Sequence, residues 1–178
     1  MSDADGTSRA PQFTNQQQYK LDSAARLGNT EEAVRLVSEG LAHPNQPWID
    51  SDGDGRLPLC VAAGEGHTDT VEALVSLNAD VQRAESWGAR DAPLHYAAYY
   101  GRTATVAKLV ELGARPSQRN GEGKSPRELA LQENHPQTAS VLEQAEQAER
   151  RQQEALCAAA QAGRTEEVLR LLEQGADP

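Results

Sequence analysis

The sequence predicts an all-α helical-repeat solenoid, made of helix–turn–helix–loop units of about 33 to 38 residues each. The first observation is an apolar segment that starts at Pro58, Pro93 and Pro126, so that it returns after 35 and then 33 residues. The second is a glycine or asparagine eight residues after each of these prolines. The third is composition, because seven aromatic residues among 178 favour thin stacked layers over one large core.

Each unit is predicted to begin with a short helix. At residues 125–128, a serine and a glutamate three positions later form a capping box around Pro126, whose missing N–H is one that a helix start leaves unused. The helix ends at the glycine or asparagine, which tolerates a left-handed backbone. A second helix follows, because apolar residues recur with the spacing of one helix face. Those apolar residues are Ala33, Leu36 and Val37; Val71, Leu74 and Val75; Val106, Leu109 and Val110; and Val168, Leu171 and Leu172.

Alanine pairs in the first helices predict close packing between neighbouring units, because a methyl side chain lets two helices approach each other. The pairs are Ala24-Ala25, Ala62-Ala63, Ala97-Ala98 and Ala159-Ala160. We expect all of them to be buried. Two helices cannot cover their own apolar face, so the units must stack on one another.

The order of the units along the chain follows from these markers. A disordered polar tail covers 1–18; four repeats cover 19–142, at about 19–47, 48–85, 86–119 and 120–142; a polar helical connector covers 143–154; and the first, incomplete repeat of a second block covers 155–178. Glu146 stands where a glycine stop is expected, inside a run of good helix formers. We therefore expect the second helix of the fourth unit to continue into the fifth, and the chain to be a fragment of a longer protein.

The loop between the first two units is longer than the others and is expected to protrude with Trp48. Within it, Asp50, Asp52 and Asp54 match the first half of a calcium-binding loop. Val61 stands where that motif needs its glutamate. A solvated acidic loop is therefore the favoured interpretation. The three aspartates are a secondary candidate metal site, and no cofactor is predicted.

Residues 93–101, Pro-Leu-His-Tyr-Ala-Ala-Tyr-Tyr-Gly, and the Val-x-x-Leu-Val-x-x-Gly-Ala run that follows them resemble the ankyrin repeat family. The resemblance covers 19–142 and 155–178. The family's threonine before the proline is replaced by Leu57 and Ala92, and its histidine remains only as His95. The resemblance implies a module that binds another protein along a concave face, formed by loop tips and the exposed ends of the first helices.

That face of the family maps onto ten residues of this sequence. They are Arg56, Glu65, Trp87, Arg90, Asp91, Tyr99, Tyr100, Lys124, Gln132 and Glu133. Tyr99 and Tyr100 follow two alanines expected to be buried, where packing favours small or polar residues. With Trp87 they are the expected apolar anchors. The alternative is that one tyrosine merely packs on the neighbouring loop. Arg90 and Lys124 are expected to steer an acidic or mixed-charge segment of the partner.

Charge and composition exclude other classes of protein. A formal net charge of -10 argues against a nucleic-acid binder, which needs a clustered basic face. No apolar run approaches membrane length, so no membrane association is expected. Cys60 and Cys157 are too few for a disulfide framework, and we expect a cytoplasmic or nuclear protein.

No arrangement of residues nominates a nucleophile, so an enzyme is not predicted within these residues. Two alternatives to an autonomous binding module stay open. The chain is the targeting or regulatory module of a larger enzyme encoded beyond residue 178, or it is mainly a structural scaffold whose long helix spaces two blocks. The pattern favours no particular oligomeric state.

Overall fold

Within residues 15–49, 55–86 and 88–173, which the computed structural model of this protein describes, the chain forms nine helices and no strand. They are α1 (Asn15–Leu27), α2 (Thr30–Ser38), α3 (Pro58–Glu65), α4 (Thr68–Ser76), α5 (Pro93–Tyr99), α6 (Thr103–Glu111), α7 (Pro126–Gln132), α8 (Pro136–Gln161) and α9 (Thr165–Glu173). The prediction of an all-α helical-repeat solenoid is confirmed.

The helices form two rows. The short first helices α1, α3, α5 and α7 pack side by side in an inner row, and α2, α4, α6 and the start of α8 form an outer row against them. The alanine pairs of α1, α3 and α5 are buried between neighbouring inner helices, as predicted. In the fifth unit the prediction is half wrong: Ala159 is buried, whereas Ala160 is exposed because no further inner helix covers it in the part of the chain described.

A ladder of threonine hydroxyls joins the outer helices. In each pair, the hydroxyl oxygen of the first residue of one outer helix lies 2.7 to 2.9 Å from the hydroxyl oxygen of the third residue of the next outer helix. The pairs are Thr30 with Thr70, Thr68 with Thr105, and Thr103 with Thr138. Because these hydroxyls are largely buried, the pairing fixes the register between neighbouring units.

The capping box predicted at the start of α7 is present. The Glu128 backbone N–H donates to the Ser125 hydroxyl at 3.2 Å, and the Ser125 N–H donates to the Glu128 carboxylate at 2.7 Å. At the start of α5, Ala92 has no side-chain oxygen, and its N–H instead donates to Nδ1 of the buried His95 at 3.3 Å. His95, the third residue of α5, thus accepts the hydrogen bond that the glutamate side chain accepts in the capping box of α7.

The predicted boundary of the N-terminal tail is wrong by four residues, because α1 already begins at Asn15. Gln18 is buried, and its side chain accepts from the His43 N–H at 3.1 Å and donates to the backbone oxygens of His43 and Gln46. One polar side chain therefore ties the loop after α2 to the first helix. The remaining tail, residues 1–14, lies outside the described residues.

Trp48 does not protrude as expected. It is half-buried, and its ring meets the ring of Tyr19 edge to face, with 5.1 Å between the centroids and an angle of 62° between the planes. The aromatic contact holds this part of the loop against α1. The candidate calcium ligands Asp50, Asp52 and Asp54 lie outside the residues that the structure describes.

The expected continuation of the fourth unit into the fifth is present, because α8 is one helix of 26 residues that passes through Glu146. Beyond Leu142, only Leu156 and Ala159 of α8 are buried. The last helix, α9, packs on α8 and has no buried residue. The exact limits of the individual repeats stay a prediction.

Candidate functional site

Two adjacent tyrosines form an exposed aromatic pair at the end of α5. Tyr99 and Tyr100 are 40% and 42% exposed, and their rings meet edge to face at a centroid distance of 5.0 Å. They directly follow Ala97 and Ala98, which are fully buried between α3 and α7. The tyrosines therefore project from a backbone that packing on both sides holds in place.

Tyr100 also packs on the preceding unit. A Cβ atom at Gly64 would lie 3.3 Å from the Tyr100 ring, so the missing side chain of that glycine lets the ring lie closely over α3. The backbone oxygen of Gly64 accepts a bond of 2.8 Å from Nε of Arg102, which follows the turn after α5. The alternative, in which one tyrosine merely packs on its neighbour, therefore holds in part. Tyr100 packs on helix α3 and not on a loop.

A buried carboxylate that the sequence did not single out lies under the loop before α5. Glu85 is 7% exposed; it accepts from the Tyr96 hydroxyl at 2.5 Å and from the Leu57 N–H at 3.2 Å. Burial raises its pKa, although both of these hydrogen bonds favour the charged form. Its own N–H donates to the Asp91 backbone oxygen at 3.0 Å. Glu85 therefore joins the loop to α3 and α5.

The groups around the Glu85 carboxylate indicate that its role is structural. The Arg56 guanidinium lies 5.5 Å from the centroid of the Tyr96 ring, close enough for a cation–π contact. Burial and the neighbouring carboxylate raise the pKa of Tyr96. Burial also raises the pKa of the Cys60 thiol well above its usual range, which keeps Cys60 a neutral, small apolar group. The sequence feature that could have indicated this cluster is Cys60, which stands at the position where the family has a histidine.

The loop tips before α5 and α7 are bonded to each other. The Asp91 carboxylate accepts from the Asn120 side-chain amide at 2.8 Å, and the Gly121 N–H donates to the Ala89 oxygen at 2.6 Å. Asp91 is therefore half-buried and part of the frame. Arg90, its neighbour, is exposed and has a positive φ of 54°. Trp87 lies outside the described residues.

The remaining predicted residues lie at the ends of α3 and α7. Glu65 is exposed at the end of α3. The Lys124 ammonium donates to the Gln132 side chain at 2.9 Å and lies 3.2 Å from the Glu122 carboxylate. The Gln132 amide in turn donates to half-buried Glu133 at 3.0 Å. These groups form a chain of polar contacts that runs from Glu122 through Lys124 and Gln132 to Glu133.

The structure thus brings together most of the residues that the sequence selected. The ends of α3, α5 and α7 lie side by side, which places Glu65, Tyr99, Tyr100 and Gln132 in one row. We call this row, with the basic residues of the adjoining loops, the tyrosine surface. Its members are Arg56, Glu65, Arg90, Tyr99, Tyr100, Lys124, Gln132 and Glu133.

The described ranges contain no candidate for two other kinds of site, a metal centre and a membrane span. Among these residues, no three His, Cys, Asp or Glu side chains are grouped so that they could hold a metal ion. None of the described helices combines the length and the apolar composition that a membrane crossing requires.

Comparison with known families agrees with the repeat pattern. A family model described as "Ankyrin repeats (3 copies)" matches residues 94–178, and a single "Ankyrin repeat" model matches residues 54–85. The two matched ranges cover more than half of the chain and include α8 and α9. No curated protein matches the sequence.

Proposed function

Because this chain belongs to the ankyrin repeat family, whose repeats are generally protein–protein interaction modules, we propose that it binds a partner protein along the tyrosine surface. Ankyrin repeat proteins are typically non-enzymatic, and binding without catalysis is part of the proposal. The observation that carries it is the exposed edge-to-face pair of Tyr99 and Tyr100 on a helix held from both sides.

The pair has the properties of an interface anchor. Aromatic side chains bring large contact areas, and a tyrosine has few rotatable bonds to immobilise on binding. Here the two rings already contact each other, and Tyr100 already lies over Gly64. A partner would therefore meet a surface that loses little conformational entropy when the complex forms.

The charges around the tyrosines favour a partner segment of acidic or mixed charge. Arg56 and Arg90 are exposed on the loops, whereas Glu65 is exposed on the helix side of the same surface. Lys124 already contacts Glu122 and Gln132, so a partner carboxylate would have to compete with them. Arg90 is therefore expected to contribute more than Lys124 to steering.

The test replaces both anchors with alanine in the full chain. Partners retained by the wild-type chain are identified by quantitative mass spectrometry, and the affinity of a recovered partner is measured by calorimetry. Tyr99→Ala with Tyr100→Ala should weaken it by roughly 30-fold or more, as expected for hot-spot residues. Tyr19→Ala is the matched control, because Tyr19 is a similarly exposed tyrosine that belongs to α1 and contacts Trp48 instead of Tyr99 or Tyr100. Unchanged affinity of the double variant, with an unchanged thermal melt, would contradict the proposal.

The length of α8 favours the spacer role as a second candidate function. A continuous helix of 26 residues spans about 39 Å and holds α9 at a distance from the stack. Ala148→Pro, at an exposed position in the middle of α8, would break the helix. Partner affinity should survive this change if the tyrosine surface alone binds, and should fall if spacing is the function.

A further inference from the structure

The inner row ends with an uncovered face on α7. Leu131 is 54% exposed, whereas Ala25, Ala63 and Ala98, which occupy the same position in the three preceding units, are fully buried. In those units another inner helix follows and packs beside the helix that carries this position. After α7 the chain continues into the unbroken helix α8, so within residues 88–173 no inner helix covers Leu131.

The same chain carries the complementary face in its fifth unit. Ala158 stands where Val61, Tyr96 and Leu129 stand in other units. Val61 and Leu129 are buried, and Tyr96 lies against Gly64 of the preceding inner helix, whereas Ala158 is exposed. The residues of the last turn of α8 thus have the apolar, small side chains of an inner helix. They lack the preceding unit on which such a helix packs.

An arginine at the following turn gives independent support. Arg102 donates to the Gly64 oxygen of the preceding unit at 2.8 Å. Its equivalent in the fifth unit, Arg164, instead pairs at 2.8 Å with Glu167 of the helix that follows it. Besides its apolar face, the fifth unit therefore carries an arginine, Arg164, that stands where Arg102 bonds to the preceding unit but that makes no such bond itself.

The two faces cannot meet within one copy while α8 is continuous. From Pro136 to Ala158, α8 rises by about 33 Å, which carries the fifth unit away from α7. Two copies can satisfy both faces by exchange, because each offers one α7 face and one fifth unit. When each copy covers the α7 face of the other, the contact is reciprocal and the assembly closes after two chains.

We propose that the uncovered face of α7 binds the fifth unit, residues 155–173, of a second copy of this chain, and that the second copy returns the same contact. The junction continues the inner row that α1, α3, α5 and α7 already form. An open groove of about 500 Å³ lies beside this junction, between helix α8 and the loop that precedes α7. Its lining includes two basic residues, Arg127 and Arg150, and two acidic residues, Glu146 and Glu149. Mixed charge of this kind suits association with an identical chain. The threonine ladder is not repeated here, since Pro136 and Glu167 occupy its positions.

An engineered disulfide between one pair of residues can test whether this junction forms. Between units two and three, a Cβ at Gly64 would lie 3.7 Å from the Tyr96 Cβ, which is the spacing of a disulfide. The equivalent residues of the proposed junction are Gln132 and Ala158. The variant Gln132→Cys with Ala158→Cys is made in a Cys157→Ser background, because Cys157 is exposed, whereas Cys60 is buried.

After mild oxidation of the full chain at about 50 µM, the expected product on a non-reducing gel is a covalent dimer with two disulfides. The single variants Gln132→Cys and Ala158→Cys are the controls and should yield far less dimer. A disulfide closed within one chain would overturn the proposal, because it means that α8 bends to let the fifth unit cover its own α7. Absence of any specific disulfide would overturn it as well.

Light scattering tests the unmodified surface. The wild-type chain should have twice the monomer mass of 19.2 kDa at this concentration, and Leu131→Glu should return it to that of a monomer. Leu27→Glu is the matched control, because Leu27 is 73% exposed at the opposite end of the row and should leave the dimer intact. A monomeric wild-type chain, or equal effects of the two variants, contradicts the proposal.

Discussion

The four stacked units and the C-terminal end of the molecule use the same sequence pattern with different results. Leu36, Leu74, Leu109 and Leu142 occupy one position of the second helix in units one to four, and each is 0 or 1% exposed. Leu171 occupies that position in unit five and is only half-buried. The local sequence sets which face is apolar, whereas a neighbouring unit decides whether that face is buried.

The bonds between units differ in the same way. Within the stack, the threonine ladder and the bond from Arg102 to the preceding unit join one repeat to the next. In unit five, Arg164 pairs with Glu167 of the helix that follows it, and the main contacts of α9 are with α8. Stability should therefore be concentrated in units one to four, with α9 and the end of α8 opening first.

The largest effect is expected from equivalent leucines in the two regions. Leu109→Ala leaves a cavity in the stacked core and should lower the free energy of unfolding by about 2 to 5 kcal/mol. Leu171→Ala removes a half-buried side chain and should cost about 1 kcal/mol or less. Urea denaturation followed by circular dichroism, at a concentration where the chain is monomeric, gives both values. Equal costs would show that unit five is packed as firmly as the stack.

A smaller effect is expected at the buried carboxylate between units two and three. Tyr96→Phe removes a donor from Glu85 and should cost about 1 to 3 kcal/mol at neutral pH. Because burial raises the pKa of Glu85, folding favours its protonated form. Its contribution to stability is therefore fully present below the unfolded pKa and is lost as pH rises through the folded value. The cost of Tyr96→Phe should shrink as the pH falls from neutral, because the folded carboxyl takes up its proton above the ordinary pKa of a glutamate.

Urea midpoints at several pH values test this dependence. Tyr99→Phe serves as the control, because the Tyr99 side chain is exposed on the surface and should show no such trend. A Tyr96→Phe penalty that is the same in acid and at neutral pH would mean that Glu85 does not titrate between them.

The smallest effect is expected at the helix start nearest to the open end. Ser125→Ala removes the hydroxyl that accepts from the Glu128 N–H and should cost about 1 kcal/mol. The loss falls on α7, which has an inner neighbour on one side only within the described chain. Hydrogen exchange should therefore increase more in α7 than in α5. Uniform faster exchange along the inner row would instead indicate that the stack opens as one unit.

The candidate site could be predicted in part. Tyr99 and Tyr100 could be selected because they interrupt a pattern of small and polar residues, and the structure places them at the surface. Glu85 could not be selected, because a glutamate in a loop is usually exposed and its partners Tyr96 and Leu57 belong to two different helices. The role of Asp91 was missed for the same reason, since its partner Asn120 is 29 positions away.

The sequence by itself determined the helix types, their order and their apolar faces. These depend on local chemistry: prolines and a capping box that start helices, glycines that end them, and the absence of any stop at Glu146. Only the tertiary structure decided which apolar faces are covered. It buried Ala98 and left its equivalent Leu131 exposed, because burial requires a neighbouring helix and the 26 residues of the unbroken helix α8 carry the next one away.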